Sequence, residues 1–323
     1  MTTGTQNKDS FICNLCPRRC NALRTPDGGQ GYCKMPSTMY VARAALHYYE
    51  EPIISGLPEN REKREAEGKP HCSGTVFFTG CSLGCVFCQN YKISHEKYGA
   101  PISSEQLAQV FKNLQDQGAL NINLVNPSHY VHGIREALKI YRVNPNHLPI
   151  VYNTSGYDRV ETLRSLDGLV DIYLPDLKYM NGQMAKVYSD AEDYFEVASK
   201  AIEEMFRQVG EPKINSEGIM TSGVVVRHLI LPKDRGDTLD VIDYLASTYG
   251  DDIVISVMSQ YTPLGRACDY PEINRPISKF EYLKVAKYLE EHGTDRMFYQ
   301  DMASATDEYV PDFDLTGIPV ETK

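Results

Sequence analysis

The sequence predicts an α/β fold built on a parallel sheet, and three observations carry that expectation. Between Thr75 and about Tyr261, six short apolar runs alternate with stretches of helical periodicity. The runs are near-continuous in apolar residues, as in strands covered on both faces. Helix-start signals recur between them, with Ser103 facing Gln106 and Ser278 facing Glu281 at capping-box spacing. This spacing fits a doubly wound sheet or a barrel, complete or partial, and periodicity alone does not choose.

Taken in order, residues 1–10 (MTTGTQNKDS) are polar, lack the apolar core of a secretory signal, and read as a disordered leader. From Phe11 to about Pro36 the chain is Cys- and Gly-rich, and 11–58 reads as a metal-binding segment with its connector. Val41 to Glu51 suits a strand or a short helix. The run at 59–70 (ENREKREAEGKP) reads as a solvated charged loop. A core domain over 71–303 and a tail over 304–323 complete the expected organisation.

Within the core, Thr75-Val76-Phe77-Phe78 is a buried strand ending at Gly80. Leu107, Val110, Phe111 and Leu114 line one face of the helix opened by Ser103, and Gly118 closes it. Then follow a strand at Asn121 to Val125, a helix at Tyr130 to Tyr141 and a strand at Pro149 to Tyr152. A helix at Gly156 to Leu166 and a strand at Val170 to Leu174 come next, before one long helix between Gln183 and Val209. Gly223 to Leu231 is an apolar strand broken by Arg227 and His228. Thr238 to Tyr249 is a helix, Asp252 to Val257 a strand, and Met297 to Tyr299 a last strand after the Ser278 helix.

The net charge of -10 argues against a nucleic-acid partner. No apolar run approaches the roughly 18 residues of a membrane span, so a soluble, cytoplasmic protein is expected. Nine cysteines without an export signal point to metal rather than to disulfides, and seven of them fall in two clusters. Cys268 stands alone and reads as a buried, inert thiol.

The triplet Cys81-x3-Cys85-x2-Cys88 begins where the first core strand ends, the end at which α/β folds place active sites. Three thiolates in so short a loop can wrap one face of a [4Fe–4S] cluster and leave one iron open to chelate a small molecule. Gly80 and Gly84 let the backbone turn around it. A structural zinc would want a fourth ligand, and no obvious fourth thiol follows.

With Phe87 as the aromatic, this C-x3-C-x-aromatic-C pattern resembles the signature of the radical S-adenosylmethionine superfamily. GCSLGCVFCQNYKIS, NLVNPSHYV, PIVYNTSGYD, VDIYLPDLKYMN, VVVRHLILP and ISVMSQYTP resemble the branch of pyruvate formate-lyase activating enzyme-like proteins, over about residues 11–300. The resemblance implies a partial (β/α)6 barrel and an oxidoreductase. Its reduced cluster would cleave S-adenosylmethionine to a 5′-deoxyadenosyl radical that abstracts hydrogen, with activation of a glycyl radical enzyme as the leading role. Radical modification of a small molecule or another peptide is the alternative. A non-catalytic electron carrier is a third reading. An electron donor such as flavodoxin or ferredoxin is implied.

The cofactor ring expected at the strand ends comprises Phe87, Asn126, Ser128, His129, Asn153, Ser155, Asp176, Lys178, Arg227 and Gln260. Many relatives carry a Gly-Gly-Glu at the strand end that Asn126, Ser128 and His129 leave, and that motif is missing here. Arg227, costly to bury alone, is expected to pair with a carboxylate of the cofactor or of the protein. Lys178 suits a carboxylate as a point charge. His228 reads as packed on the outer face, and His47 and His71 as ordinary residues.

Cys13-x2-Cys16-x3-Cys20-x12-Cys33 offers four thiolates in a segment with little apolar content, so a metal is expected to supply its folding free energy. Zinc, suggested by Pro17 and the Gly-rich loop from Asp27 to Gly31, or a second [4Fe–4S] cluster would serve.

Overall fold

The computed structural model describes residues 10–57, 61–68, 72–234, 236–301 and 311–319. Most of the expected leader, and His71, lie outside the described residues. At the amino-terminal end β1 (Phe11–Cys13), β2 (Ala22–Thr25) and β3 (Gly28–Gly29) make a small antiparallel sheet. The 41–51 stretch resolves into a strand, β4 (Met39–His47), followed by a one-turn helix α1 (Pro52–Ser55) with Pro at its start. Inside the charged run, Arg61–Ala66 forms a short helix, α2, in place of the expected loop. Its Glu, Lys, Arg and Ala are good helix formers, which explains the difference.

The core then alternates as expected. In chain order come β5 (Cys72–Phe78), α3 (Tyr91–Ser94), β6 (Ala100–Ile102), α4 (Ser104–Asp116), β7 (Ala119–Val125), α5 (Val131–Tyr141), β8 (Ile150–Thr154) and α6 (Val160–Arg164). They are followed by β9 (Ile172–Pro175), α7 (Gly182–Ser189), α8 (Tyr194–Val209), β10 (Lys213–Ile214), β11 (Met220–Leu229), α9 (Asp237–Tyr249), β12 (Val254–Met258), α10 (Lys279–His292) and β13 (Met297–Tyr299). Both capping boxes are made, at Ser103 and at Ser278.

Two helices differ from expectation. The single long helix is two, α7 and α8, because Asp190 takes a left-handed conformation (φ 50°) that ends α7. The helix expected from Gly156 starts only at Val160, because Asp158 first closes a turn by accepting hydrogen bonds from Tyr152 and Thr154.

The main sheet runs β13-β12-β11-β9-β8-β7-β5-β4-β6. From β5 to β13 neighbouring strands are parallel, and β4 joins β5 antiparallel. Among the described residues the edge strands β13 and β6 do not meet, so the expected barrel stays open and partial. Helices cover one face and bury the larger core. Along each strand, residues two apart share a face. On the inner face Val151, Ile172, Leu174, Met220, Val225 and Val254 form a smaller core with Ile53 and Ile54 of α1. The short helix α1 therefore plugs the lower part of the inner face.

Part of the expected tail is docked. Leu315 N donates to Ala42 O (3.0 Å), Ala44 N donates to Thr316 O (2.8 Å), and Phe313 packs edge-on against Phe77. Among the described residues no helix is long and apolar enough to cross a membrane.

Candidate active site

Because β5 is buried along its whole length, it delivers the loop after Gly80 to the carboxyl edge of the sheet with little freedom. Gly80 (φ 90°) and Gly84 (φ 75°) hold conformations that a side chain would strain. A Cβ on Gly80 would stand 2.4 Å from Met35 Cγ, so the turn is also packed from outside. Each of the three thiols in this loop receives a donor. Leu83 N and Gly84 N point to Cys81 Sγ (3.3 and 3.5 Å), Ser189 Oγ to Cys85 Sγ (3.0 Å) and Ser94 Oγ to Cys88 Sγ (3.3 Å). Hydrogen bonds to ligand sulfurs are what an iron–sulfur site requires of its protein, so the residues present fit a cluster. Burial pushes the Cys88 thiol up to about 12 and also raises Cys85, so these two thiols keep their protons without metal.

Cys81, Cys85 and Cys88 open onto a cavity of about 220 Å³ that runs along the inner face. Phe77, Val125, Leu229 and Met258 form apolar walls, and Asn126, Asn153, Ser155, Asp176, Lys178, Arg227 and Gln260 also line it. A larger groove of about 710 Å³ lies between Phe11, Met39, Ser103 and His132. It holds none of the cysteines, and the smaller cavity is the candidate site.

Asp176 is the electrostatic hub. It accepts from Arg227 Nε (3.0 Å) and Lys178 Nζ (2.6 Å), while Arg227 NH2 donates to Asn153 Oδ1 (2.7 Å). Burial alone would raise the Asp176 carboxyl, but the two cations outweigh it and hold its pKa below the usual range. Burial works against the Lys178 cation, yet Asp176 raises its pKa. Arg227 is thus paired with a protein carboxylate, one of the two partners expected for it.

Eight of the ten expected ring residues meet here: Phe87, Asn126, Asn153, Ser155, Asp176, Lys178, Arg227 and Gln260. Phe87 is buried against Tyr261 and Tyr188. Asn126 Nδ2 donates to Gly80 O (2.7 Å), which ties the end of β7 to the cysteine loop. Ser128 and His129 are placed elsewhere. They start a one-turn helix, Ser128–Tyr130, that turns them behind the sheet. There Ser128 bonds Thr154, and His129 Nε2 bonds Thr79 O (2.7 Å). Cys268, expected buried, is exposed beside Asp269, because its helical turn, Ala267–Asp269, buries only Ala267. His228 sits on the outer face between Leu177 O and Thr238 Oγ1, as its alternation with Arg227 implied.

Sequence reasoning missed Glu50. Glu50 lines the cavity and accepts from Asn123 Nδ2 (2.8 Å), with Arg227 NH1 at 3.5 Å. The tandem of acids in an unreadable connector was the only available signal.

The amino-terminal cysteines are grouped, and Cys16 feels Cys33, Cys13 and Cys20, in that order of strength. Burial pushes Cys16 up to about 12. Cys20 Sγ accepts from Tyr32 N (3.2 Å). Among the described residues no three His, Cys, Asp or Glu side chains close on a single metal ion. Arg18, between Cys16 and Cys20, clasps this segment onto the triplet loop. It donates to Ser82 O (2.9 Å), Leu83 O (3.0 Å), Ser189 O (2.9 Å) and Asp190 O (2.5 Å), and stacks on Tyr32. Tyr32 OH donates to Leu83 O as well (3.2 Å).

Comparison with known proteins bears on this arrangement. Residues 75–211 match the family model described as Radical SAM superfamily. An uncharacterized protein of Methanocaldococcus jannaschii is 28% identical over 293 residues, spanning 88% of this chain and 76% of that protein. An uncharacterized 14.8 kDa protein of Enterobacteria phage T6 is 27% identical over 120 residues, 36% of this chain and 90% of that protein. Among solved structures, Streptococcus suis SuiB bound to precursor peptide SuiA shares the fold at TM-score 0.50 and 11% identity, over 74% of this chain. The chain spans about half (52%) of the length of that SuiB chain.

Proposed function

We propose, on the match of residues 75–211 to the Radical SAM superfamily model, that the chain is a radical SAM enzyme in which Cys81, Cys85 and Cys88 hold a [4Fe–4S] cluster beside a substrate cavity on the inner face. The observation that carries this reading is the set of donors aimed at all three sulfurs of a loop that opens directly onto that cavity. With S-adenosylmethionine bound, such a cluster supplies a 5′-deoxyadenosyl radical that abstracts hydrogen from a substrate. The chain's own residues do the rest. The apolar walls Phe77, Val125, Leu229 and Met258 keep water from the reacting space. Asn126, Asn153, Ser155, Lys178 and Gln260 offer donors and acceptors that orient the cofactor, and Phe87 packs beside the cluster. Asp176 keeps Lys178 and Arg227 charged and in place.

We take activation of a glycyl radical enzyme as the leading role, on the strength of the motif resemblance to pyruvate formate-lyase activating enzyme-like proteins. The plug formed by α1 and the charged residues above it favour a second reading, chemistry on a small molecule or another peptide held in the cavity. A peptide substrate is in keeping with SuiB, which is seen with its precursor peptide. The amino-terminal quartet takes a metal in this account, zinc or a second cluster. The Arg18 clasp holds it against the triplet loop, where a second cluster would pass electrons from a donor such as flavodoxin or ferredoxin.

The test is metal analysis with electron paramagnetic resonance on anaerobically reconstituted protein. A four-iron signal that changes when S-adenosylmethionine is added, and that Cys81→Ala, Cys85→Ala and Cys88→Ala each remove, is the expected result. Iron bound equally by all three variants would contradict the ligand assignment. For the substrate, a glycyl radical signal arising in a large co-purified partner supports activation, and product in a small-molecule extract supports the second reading.

A further inference from the structure

The hydrogen bonds of Arg18 go to backbone carbonyls on two separate pieces of chain around the cysteine triplet. Ser82 O and Leu83 O belong to the loop between Cys81 and Cys85. Ser189 O and Asp190 O belong to the carboxyl end of α7, where carbonyls lack intrahelical partners and a cation is favoured. The Arg18 side chain is only 11% exposed, so water competes little for these contacts. Tyr32 stacks on the guanidinium at 3.9 Å, and its hydroxyl shares Leu83 O. That approach depends on Gly84, where a Cβ would stand 3.0 Å from Tyr32 Oη.

The residues so gripped are those that serve the ligand sulfurs. Leu83 N points to Cys81 Sγ and Ser189 Oγ to Cys85 Sγ. The same two pieces of chain are tied once more by Val86 N donating to Tyr188 O (2.9 Å). Arg18 does not line the cavity, yet it spans the cysteine loop and the end of α7 and thereby fixes the Ser189–Cys85 bond from behind. Cys88 offers an internal contrast. Its donor Ser94 ends α3, to which Arg18 makes no hydrogen bond among the described residues. Hydrogen bonds to cluster sulfurs favour the reduced, more negative state and so raise the reduction potential.

We propose that Arg18, backed by Tyr32, is a positioning residue for the triplet cluster. By joining the cysteine loop to the end of α7, it holds the donors of Cys81 and Cys85 on their sulfurs and sets the potential at which the cluster accepts an electron. This inference rests on the reading above that the triplet holds a [4Fe–4S] cluster.

The test is a redox titration of the full chain, reconstituted anaerobically, that follows the electron paramagnetic resonance signal responding to S-adenosylmethionine. Arg18→Lys keeps the charge but loses the planar fork, and it should lower the midpoint potential. Ser189→Ala and Ser94→Ala should each lower it too. Arg18→Lys combined with Ser189→Ala should shift the potential by less than the sum, because both act on the Cys85 bond. Combined with Ser94→Ala it should reach the sum. An unmoved potential in Arg18→Lys, full additivity with Ser189→Ala, or an equal shortfall with Ser94→Ala would overturn the proposal. Should Arg18→Lys fail to fold or to load iron, Tyr32→Phe takes its place. It removes one donor to Leu83 O and should lower the potential by a smaller step, and no change there overturns the proposal. A cluster whose potential ignores these variants defeats this inference alone. No signal responding to S-adenosylmethionine in the unmodified protein defeats the cluster reading beneath it as well.

Discussion

Among single residues, buried charge decides most. Asp176 takes the close contacts of two cations at once, so Asp176→Asn strips Lys178 of its carboxylate and leaves Arg227 only its longer contact with Glu50. Breaking such a pair costs about 3–5 kcal/mol, and urea denaturation should show a loss of that order. Asp237 behaves differently. Its carboxylate accepts from Met180 N (3.0 Å) and Asn181 N (2.7 Å), yet burial prevails and raises its pKa to about 6. A raised acid stabilises the fold below its unfolded value of about 3.9 and loses that contribution as pH rises through the folded value. The stability difference between the unmodified chain and Asp237→Asn should therefore shrink from pH 4 to pH 6.5, and denaturation at several pH values checks it. The cysteine triplet was legible because its spacing and its place after a strand are local facts. Glu50 was not, because its meaning comes from Asn123 and Arg227, distant in sequence and adjacent only after folding. Ser128 and His129 were misplaced because a strand end can turn either way, and here a helical turn took them behind the sheet.

At the scale of elements, apolar runs and caps read well and breaks read poorly. Both capping boxes were visible, and Ser278→Ala should cost about 1 kcal/mol in thermal or chemical unfolding. The break between α7 and α8 was invisible because apolar periodicity continues across it, while the decisive event is one residue, Asp190, in a left-handed conformation. That break matters chemically, since it sets Ser189 at the end of α7 where its hydroxyl meets Cys85. The plug α1 is the shortest consequential element. Ile54 is fully buried in the inner core, and its backbone carbonyl accepts from Asn121. Ile54→Ala should cost about 2–5 kcal/mol, read as a lower midpoint in chemical denaturation.

At the scale of the molecule, six alternating strands announced a parallel sheet, but pairing order and closure are long-range properties that no local pattern encodes. The antiparallel addition of β4 to β5, and the docking of 311–319 on β4, belong to that class. So does the Arg18 clasp, which joins two cysteine clusters far apart in the chain. Arg18→Ala should loosen the amino-terminal segment, and faster proteolysis there, with the core intact, is the expected observation. Acid should strain the whole fold. Burial holds His129 neutral, with its pKa lowered to about 3, so the stability it contributes is complete above about 6.5 and is lost as pH falls from there toward about 3.

One measurement decides whether the Cys81–Cys88 loop carries a radical-generating cluster. Anaerobically reconstituted, reduced protein is mixed with S-adenosylmethionine, 5′-deoxyadenosine is quantified, and iron and zinc are counted in the same samples. The account predicts 5′-deoxyadenosine from the intact chain and none from Cys85→Ala, which should also lose the cluster iron. A triplet that binds zinc and never iron, with no 5′-deoxyadenosine formed, would contradict it.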